Sequence, residues 1–319
     1  MAVNVWEQDF YGKNVMVTTK EDDCVIYRIS DEAGEAVLTR YDVYPGIALV
    51  YNDVHTSQIA VGKSKDYHNI LEINHCREGR IEFESANGEF LYVKKGDMAI
   101  NTKSGVKDYS NFPQHHYHGV TIELDLELLK NLPSEFMTDM QLDIEKMKNL
   151  FCENNCCFVL HEKEEFEHLF TELYLVPDKI RKRYYRLKVI EILLFLSVID
   201  VKQELIEKRY FNKDLVAHVK EAHGYMTSHL TEKITIDFLS EKFHVTPTRL
   251  KKCFYEVYGN SLYAYLKEYR INKAAELLRN SDLEIGKIAG MVGYDNASKF
   301  ASSFKSIMGI NPNEYRKGA

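Results

Sequence analysis

Residues 285–316 read IGKIAGMVGYDNASKFASSFKSIMGINPNEYR, and residues 236–266 read IDFLSEKFHVTPTRLKKCFYEVYGNSLYAYL. In the earlier stretch Ile236, Leu239, Ser240 and Phe243 follow the i, i+3, i+4, i+7 spacing of one helical face. Ile285, Ile288, Ala289 and Val292 repeat it 49 positions later. A short turn follows each, His244-Val245 and then Gly293-Tyr294. Beyond the turn, Leu250, Phe254, Val257 and Gly259 are answered by Phe300, Phe304, Ile307 and Gly309 at a spacing of 50, so the second copy holds one extra residue near its turn. Tyr265 and Tyr315 extend the match. Two helical faces in the same order, twice, predict a duplicated helix-turn-helix.

The punctuation agrees. Thr246 stands where it can cap the following helix, with Pro247 at the first position, where a missing N–H costs nothing. Asp295 is expected to cap the second copy. Gly259 and Gly309 sit where a left-handed residue ends a helix. Small residues, Ser240 and Ala289, let the two helices of each unit approach closely. With Leu250 and Phe254 turned inward, Thr248, Lys252 and Tyr255 face outward, flanked by Arg249 and Lys251. The second copy exposes Ser298, Ser302 and Lys305, flanked by Lys299. A solvated helix ordinarily mixes its charges; these outward faces carry no carboxylate, as a helix facing phosphates requires. We therefore take Thr248, Arg249, Lys251, Lys252, Tyr255, Ser298, Lys299, Ser302 and Lys305 as candidate DNA-contacting residues. Lone helix pairs are common packing units, and the duplication with its cationic faces separates this one from them.

The stretch 236–317 resembles the DNA-binding domain of AraC/XylS-type regulators. The resemblance rests on Leu250-x-x-x-Phe254, Gly259, Tyr265-Leu266-x-x-x-Arg270, Ala274-x-x-Leu277-Leu278, Ile288-Ala289-x-x-x-Gly293-Tyr294, Phe300-x-x-x-Phe304 and Gly309-x-x-Pro312-x-x-Tyr315-Arg316. Ser240 and Tyr294 depart from the usual alanine and phenylalanine. The resemblance implies two helix-turn-helix units joined by one long helix starting near Leu262, with Arg270 as an ion-pairing structural residue. It also implies double-stranded DNA as partner, RNA polymerase as a further partner if the protein activates transcription, and a homodimer.

Charge is distributed to match. The 319 residues carry a net charge of −7. From Lys213 onward there are 16 Lys and Arg against 12 Asp and Glu, whereas the rest has 25 against 36. A basic C-terminal part thus follows an acidic N-terminal one. No basic-then-apolar leader stands at residues 1–10, and the longest apolar run, 192–199, is far short of the roughly 20 residues a membrane span needs. A cytoplasmic protein is expected, and six cysteines without a secretory leader do not read as a disulfide framework.

Residues 15–123 read as β structure: short Val, Ile, Tyr and Phe runs broken by Glu78-Gly79, Asn87-Gly88 and Gly96-Asp97, with Asn87-Gly88 a hairpin signal. Around residues 71–100 this part resembles, more loosely, the cupin-like β-barrel of many such regulators, which implies an effector-binding cavity. The expected organisation is multidomain: an all-β cupin-like barrel over 1–123, a helical dimerisation or linker region over 124–210, and an all-α tandem helix-turn-helix domain over 211–319. In the middle region Phe166, Leu169, Phe170 and Leu173 recur at helical spacing, and residues 184–198 are apolar around most of a helix, so they must be buried in their own chain or against a partner.

His68, Glu72, Asn74, His116 and His118 are the candidate effector-binding residues, polar positions among barrel strands. A metal on His68, Glu72 and a later histidine is weighed against this, as in cupin enzymes. Asp66 stands where their first histidine belongs, so no metal or other cofactor is expected. Cys152, Cys156 and Cys157 raise a redox or zinc alternative, but no second Cys/His pair stands at zinc-site spacing. No nucleotide-binding glycine loop and no Ser/His/Asp arrangement is evident, and a non-enzymatic regulator is expected over a cupin enzyme or redox sensor fused to a DNA-binding module.

Overall fold

The computed structural model describes the chain apart from residues 1–4, 13, 22–23, 33, 61–68, 85–87, 104–108, 131–141, 153–156, 163, 202–209 and 319. It divides into two compact units, Met1–Tyr210 and Phe211–Ala319. Among the described residues no helix is long and apolar enough to cross a membrane.

The first unit opens with helix α1 (Val5–Tyr11) and continues as β1 (Val15–Lys20), β2 (Val25–Asp31), β3 (Gly34–Tyr44), β4 (Ile47–His55), β5 (Gln58–Ala60), β6 (Ile70–Glu84), β7 (Glu89–Lys94), β8 (Met98–Thr102), β9 (Tyr109–Asn111) and β10 (Tyr117–Asp125). All pair antiparallel in a curled sheet, with the order β1-β2-β3-β4-β10-β6-β7. Strand β6 is long enough to serve two neighbours on one side, pairing β8 through its first half and β7 through its second. The expected hairpin forms, with Ile81 opposite Val93 and Phe83 opposite Leu91. Gly88 takes φ +76 in its turn, and Asn87 lies outside the described residues. At Gly79, φ is +82 and a Cβ would meet the His116 carbonyl oxygen at 2.0 Å, so only glycine fits this crossing of β6 and β10.

Both faces of the sheet's middle are buried, so burial along β4, β6, β8 and β10 is nearly continuous and does not alternate, with polar Asn74, Asn101, Thr121 and Glu123 among the buried positions. The concave face surrounds a cavity. The other face is covered by α2 (Leu126–Leu129), α3 (Ile144–Phe151), the short strand β11 (Phe158–Leu160) on β8, α4 (Glu164–Thr171) and α5 (Arg181–Ser197). Leu169, Phe170, Leu173, Val189, Ile192, Leu193 and Leu196 join Leu49, Ile73, Ile100 and Ile122 in one core. The apolar helix foreseen at 184–198 therefore buries one side, Tyr185, Val189, Ile192, Leu193 and Leu196, in its own chain's core. Leu187, Leu194 and Val198 stay exposed, at 70%, 38% and 79%.

The second unit is α-helical: α6 (Lys213–Ser228), α7 (Ile236–Lys242), α8 (Pro247–Tyr258), α9 (Leu262–Asn280), α10 (Ile285–Met291), α11 (Ala297–Met308) and α12 (Pro312–Lys317). Its second half buries Ile271, Ala274 and Leu278 of α9 against Ile288, Ala289, Phe300 and Phe304.

Candidate nucleic-acid interface

The pairs α7–α8 and α10–α11 are the two predicted helix-turn-helix units, joined by α9, which begins at Leu262. Helix α8 buries Leu250, Cys253, Phe254 and Val257, and α11 buries Phe300 and Phe304. The spacing of these anchors fixes which side of each helix meets solvent. Thr248, Arg249, Lys251, Lys252 and Tyr255 are all exposed on α8, and Ser298, Lys299, Ser302 and Lys305 on α11. Along α11 there is no acidic residue, and on α8 the single one, Glu256, is half-buried. Each helix ends at a left-handed glycine, Gly259 at φ +76 and Gly309 at φ +79.

The helix starts differ from expectation. Asn296, not Asp295, caps α11: its Oδ1 accepts from the Ser298 N–H at 2.8 Å and the Lys299 N–H at 3.1 Å. The extra residue of the second copy lengthens the turn by one, which puts the following side chain in range. Thr246 occupies the cap position of α8, but its hydroxyl accepts no backbone hydrogen bond there, so Pro247 carries that start.

Arg270 also differs. It donates through Nη2 to two backbone carbonyls, of Leu230 and Glu232, instead of pairing with a carboxylate. Its guanidinium packs against Gly293, at φ +83 in the turn of the second unit. A Cβ there would stand 1.9 Å from the Leu230 oxygen and 2.9 Å from Arg270 Cζ. Arg270 and Gly293 thus hold the segment before α7, the linking helix and the second turn in one arrangement.

A family model described as a helix-turn-helix domain matches residues 239–318. An uncharacterised helix-turn-helix transcriptional regulator of Bacillus subtilis, YisR, is 36% identical over 97 residues, covering 30% of this chain and 34% of that protein. The arabinose operon regulatory protein of Escherichia coli is 32% identical over 102 residues, covering 31% and 35%. The C-terminal unit belongs to the AraC/XylS family. The solved C-terminal domain of AraT, a response regulator from Geobacillus stearothermophilus, is 35% identical and covers 32% of this chain and 85% of that one, at a TM-score of 0.31. The chain spans about a third of the length of the first curated relatives it matches.

In the unit preceding this AraC-type domain, a cavity of about 120 Å³ lies inside the curled sheet. Of the residues expected to border it, Glu72 and Asn74 do. The Thr121 hydroxyl donates to Asn74 Oδ1 at 2.7 Å, Asn74 Nδ2 to Asn101 at 3.0 Å, and Asn101 Nδ2 to Glu72 at 2.9 Å. Lys103 Nζ reaches Glu72 at 3.3 Å and lies 3.4 Å from the centre of the Phe10 ring. The opposing lining is apolar, including Ile81, Phe83 and Phe112. At one end Arg40 pairs with Glu123 and donates to the Tyr11 hydroxyl. Burial pushes the Glu123 carboxyl and the Tyr11 phenol up; Arg40 opposes both shifts without cancelling them. A wider cleft of about 640 Å³, with Arg40, Lys182 and Arg186 among its lining, lies beside that end.

His116 and His118 do not line the cavity. Asn52 and Val54 of β4 and Tyr117 and Thr121 of β10 point into it, so the alternation of strands turns His118 to the opposite face. His68 lies outside the described residues, as does Cys156; Cys152 is buried and Cys157 half-buried. Sequence reading missed Lys103, Asn52, Thr121 and Glu123. For Thr121 and Glu123 the signal was there, as polar side chains two apart among the apolar residues of β10.

Proposed function

We propose that this protein is a sequence-specific, DNA-binding transcription regulator whose N-terminal unit takes a small effector in the cavity of its curled sheet. The reading rests on one observation above all: two helices that each end at a left-handed glycine, each with a buried aromatic face and an outward face free of exposed carboxylates. Helix α8 offers Arg249, Lys251 and Lys252, long enough to reach base edges in the major groove. Helix α11 offers mainly Ser298 and Ser302, too short to span it, with Lys299 and Lys305 placed for phosphates. In this reading α8 specifies sequence and α11 fixes position. The recognition helices enter successive major grooves, about 34 Å apart along the duplex.

The effector takes a mostly apolar shape with a polar group exchanging into the Glu72–Asn74–Asn101–Thr121 network. A second copy of the chain covers Leu187, Leu194 and Val198, exposed apolar side chains that recur along one side of α5, opposite the side that packs on the sheet. The protein acts in the cytoplasm and, where it activates, contacts RNA polymerase. Protection of genomic DNA by the purified chain tests the proposal. Discrete footprints of about 20 base pairs per chain, on successive turns of one face of the duplex, support it; uniform protection with no preferred sites refutes it.

A further inference from the structure

The outer face of β4 and β10 carries a cluster that DNA binding and the cavity leave unused. The register sets Tyr117 opposite Val54 and His118 opposite Asp53, so the next residue outward, His116, approaches His55. Tyr117 and Val54 point to the apolar interior, buried at 3% and 1%. The alternating residues therefore share the other face: Asp53-x-His55 from one strand and His116-x-His118 from the next. A turn at Pro113–His115 with His115 at φ +56 delivers His116 into this position.

One donor nitrogen from each of His55, His116 and His118 lies within 4.8 Å of the other two. Asp53 Oδ1 stands 2.8 Å from His55 Nε2 and 3.1 Å from His118 Nε2. That carboxylate oxygen is shielded from solvent, yet neither ring meets it with hydrogen-bonding geometry. Donors that share a tetrahedral zinc at about 2.1 Å stand roughly 3.4 Å apart. The Asp53 contacts with His55 and His118 are already inside that spacing, and His116, the member not in contact with Asp53, joins by rotation of its partly exposed ring. Glu78 Oε2 lies 3.6 Å from His116 Nε2, where a carboxylate can orient a ligating imidazole.

We propose that Asp53, His55, His116 and His118 form a site for a divalent transition-metal ion, with zinc the fitting occupant. Three imidazoles and one carboxylate suit zinc's tetrahedral preference and exclude magnesium and calcium, which require oxygen ligands. The site is separate from the cavity, across the sheet from it, and bridges the strands on which Asn52 and Thr121 line that cavity. Glu72, weighed from sequence as a metal ligand, instead holds Lys103 and Asn101.

The test uses the full chain without a polyhistidine tag, stripped with a chelator and titrated with zinc chloride by calorimetry. One zinc per chain at micromolar affinity or tighter is expected, with no heat from magnesium. His55→Ala and His118→Ala each weaken binding by at least about 100-fold, beyond the 10- to 100-fold typical of losing a supporting group alone. Both variants keep the parent's melting temperature in chelator, because the two rings are at least a third exposed. Cobalt in place of zinc gives the intense visible bands of tetrahedral coordination. Zinc binding weaker than about 100 μM, binding unchanged in both variants, or a weak octahedral cobalt spectrum would overturn the proposal.

Discussion

Gly293→Ala tests how the C-terminal unit holds its two halves. The residue sits at φ +83, and a Cβ would lie 1.9 Å from the Leu230 carbonyl oxygen and 2.9 Å from the Arg270 guanidinium. A left-handed non-glycine residue costs about 1–2 kcal/mol. The displaced backbone also loses Arg270's hydrogen bonds to Leu230 and Glu232, each charge-assisted bond worth about 1.5–3 kcal/mol net. Keeping only one of the two hydrogen-bond losses gives about 2.5–5 kcal/mol. For a unit of this length each kcal/mol moves the melting temperature by about 4 °C, so a fall of at least about 10 °C is expected. Thermal melts of the full chain followed by far-ultraviolet circular dichroism read it, since most of the helix belongs to this unit. Gly224→Ala is the control: it lies inside α6 with nothing within 4 Å of an added Cβ. It should raise stability by about 0.5–1 kcal/mol. If Gly293→Ala melts within about 4 °C of the parent, the Arg270–Gly293 junction does not hold the domain together.

Three further outcomes are expected. His75 stacks on Phe170 with ring centroids 4.1 Å apart, and burial pulls its pKa down to about 4. The unfolded chain then binds the extra proton between about pH 6.5 and 4, so the first unit's stability falls with pH across that window, by about 3 kcal/mol at its lower end. Denaturant titrations at several pH values should show this fall, and His75→Phe should flatten it; an unchanged slope in the variant contradicts the assignment. Leu194→Glu should convert a dimer to monomers in sedimentation, because burying an unpaired carboxylate costs several kcal/mol; a parent already monomeric at micromolar concentration refutes the α5 interface. Lys305→Ala should weaken binding to every sequence and lower the salt-dependence slope by about one, whereas Lys252→Ala should relax base preference at one part of the site; loss of base preference in Lys305→Ala would reverse the roles given to α8 and α11.

The C-terminal architecture was legible because helical periodicity repeats: Leu250 and Phe254, then Phe300 and Phe304, declare their faces without tertiary information. Which of Asp295 and Asn296 caps α11 was not, since both side chains can accept from the first turn and one residue of turn length decides between them. In the N-terminal unit the strands and the hairpin at Gly88 could be read, but register could not. Period-two alternation says which residues share a face and leaves the neighbouring strand open. That is why His116 and His118 were assigned to the cavity, and why Asp53 and His55 went unnoticed: they join the histidines only through the pairing of β4 with β10. The apolar stretch 184–198 plainly had to be buried. That its own sheet covers one side of it depends on Leu49, Ile73, Ile100 and Ile122 sharing the sheet face opposite the cavity, which no single strand's sequence reveals.

The most direct test of the account is selection of binding sites from random duplex DNA by the purified full chain. It predicts an enriched motif with sharp base preferences under α8 and a second, weaker element one helical turn away, about 10–11 base pairs along. An equally sharp second element would show that Ser298 and Ser302 read bases after all. A pool that stays random after repeated rounds, while the protein still binds DNA, would contradict sequence-specific recognition itself.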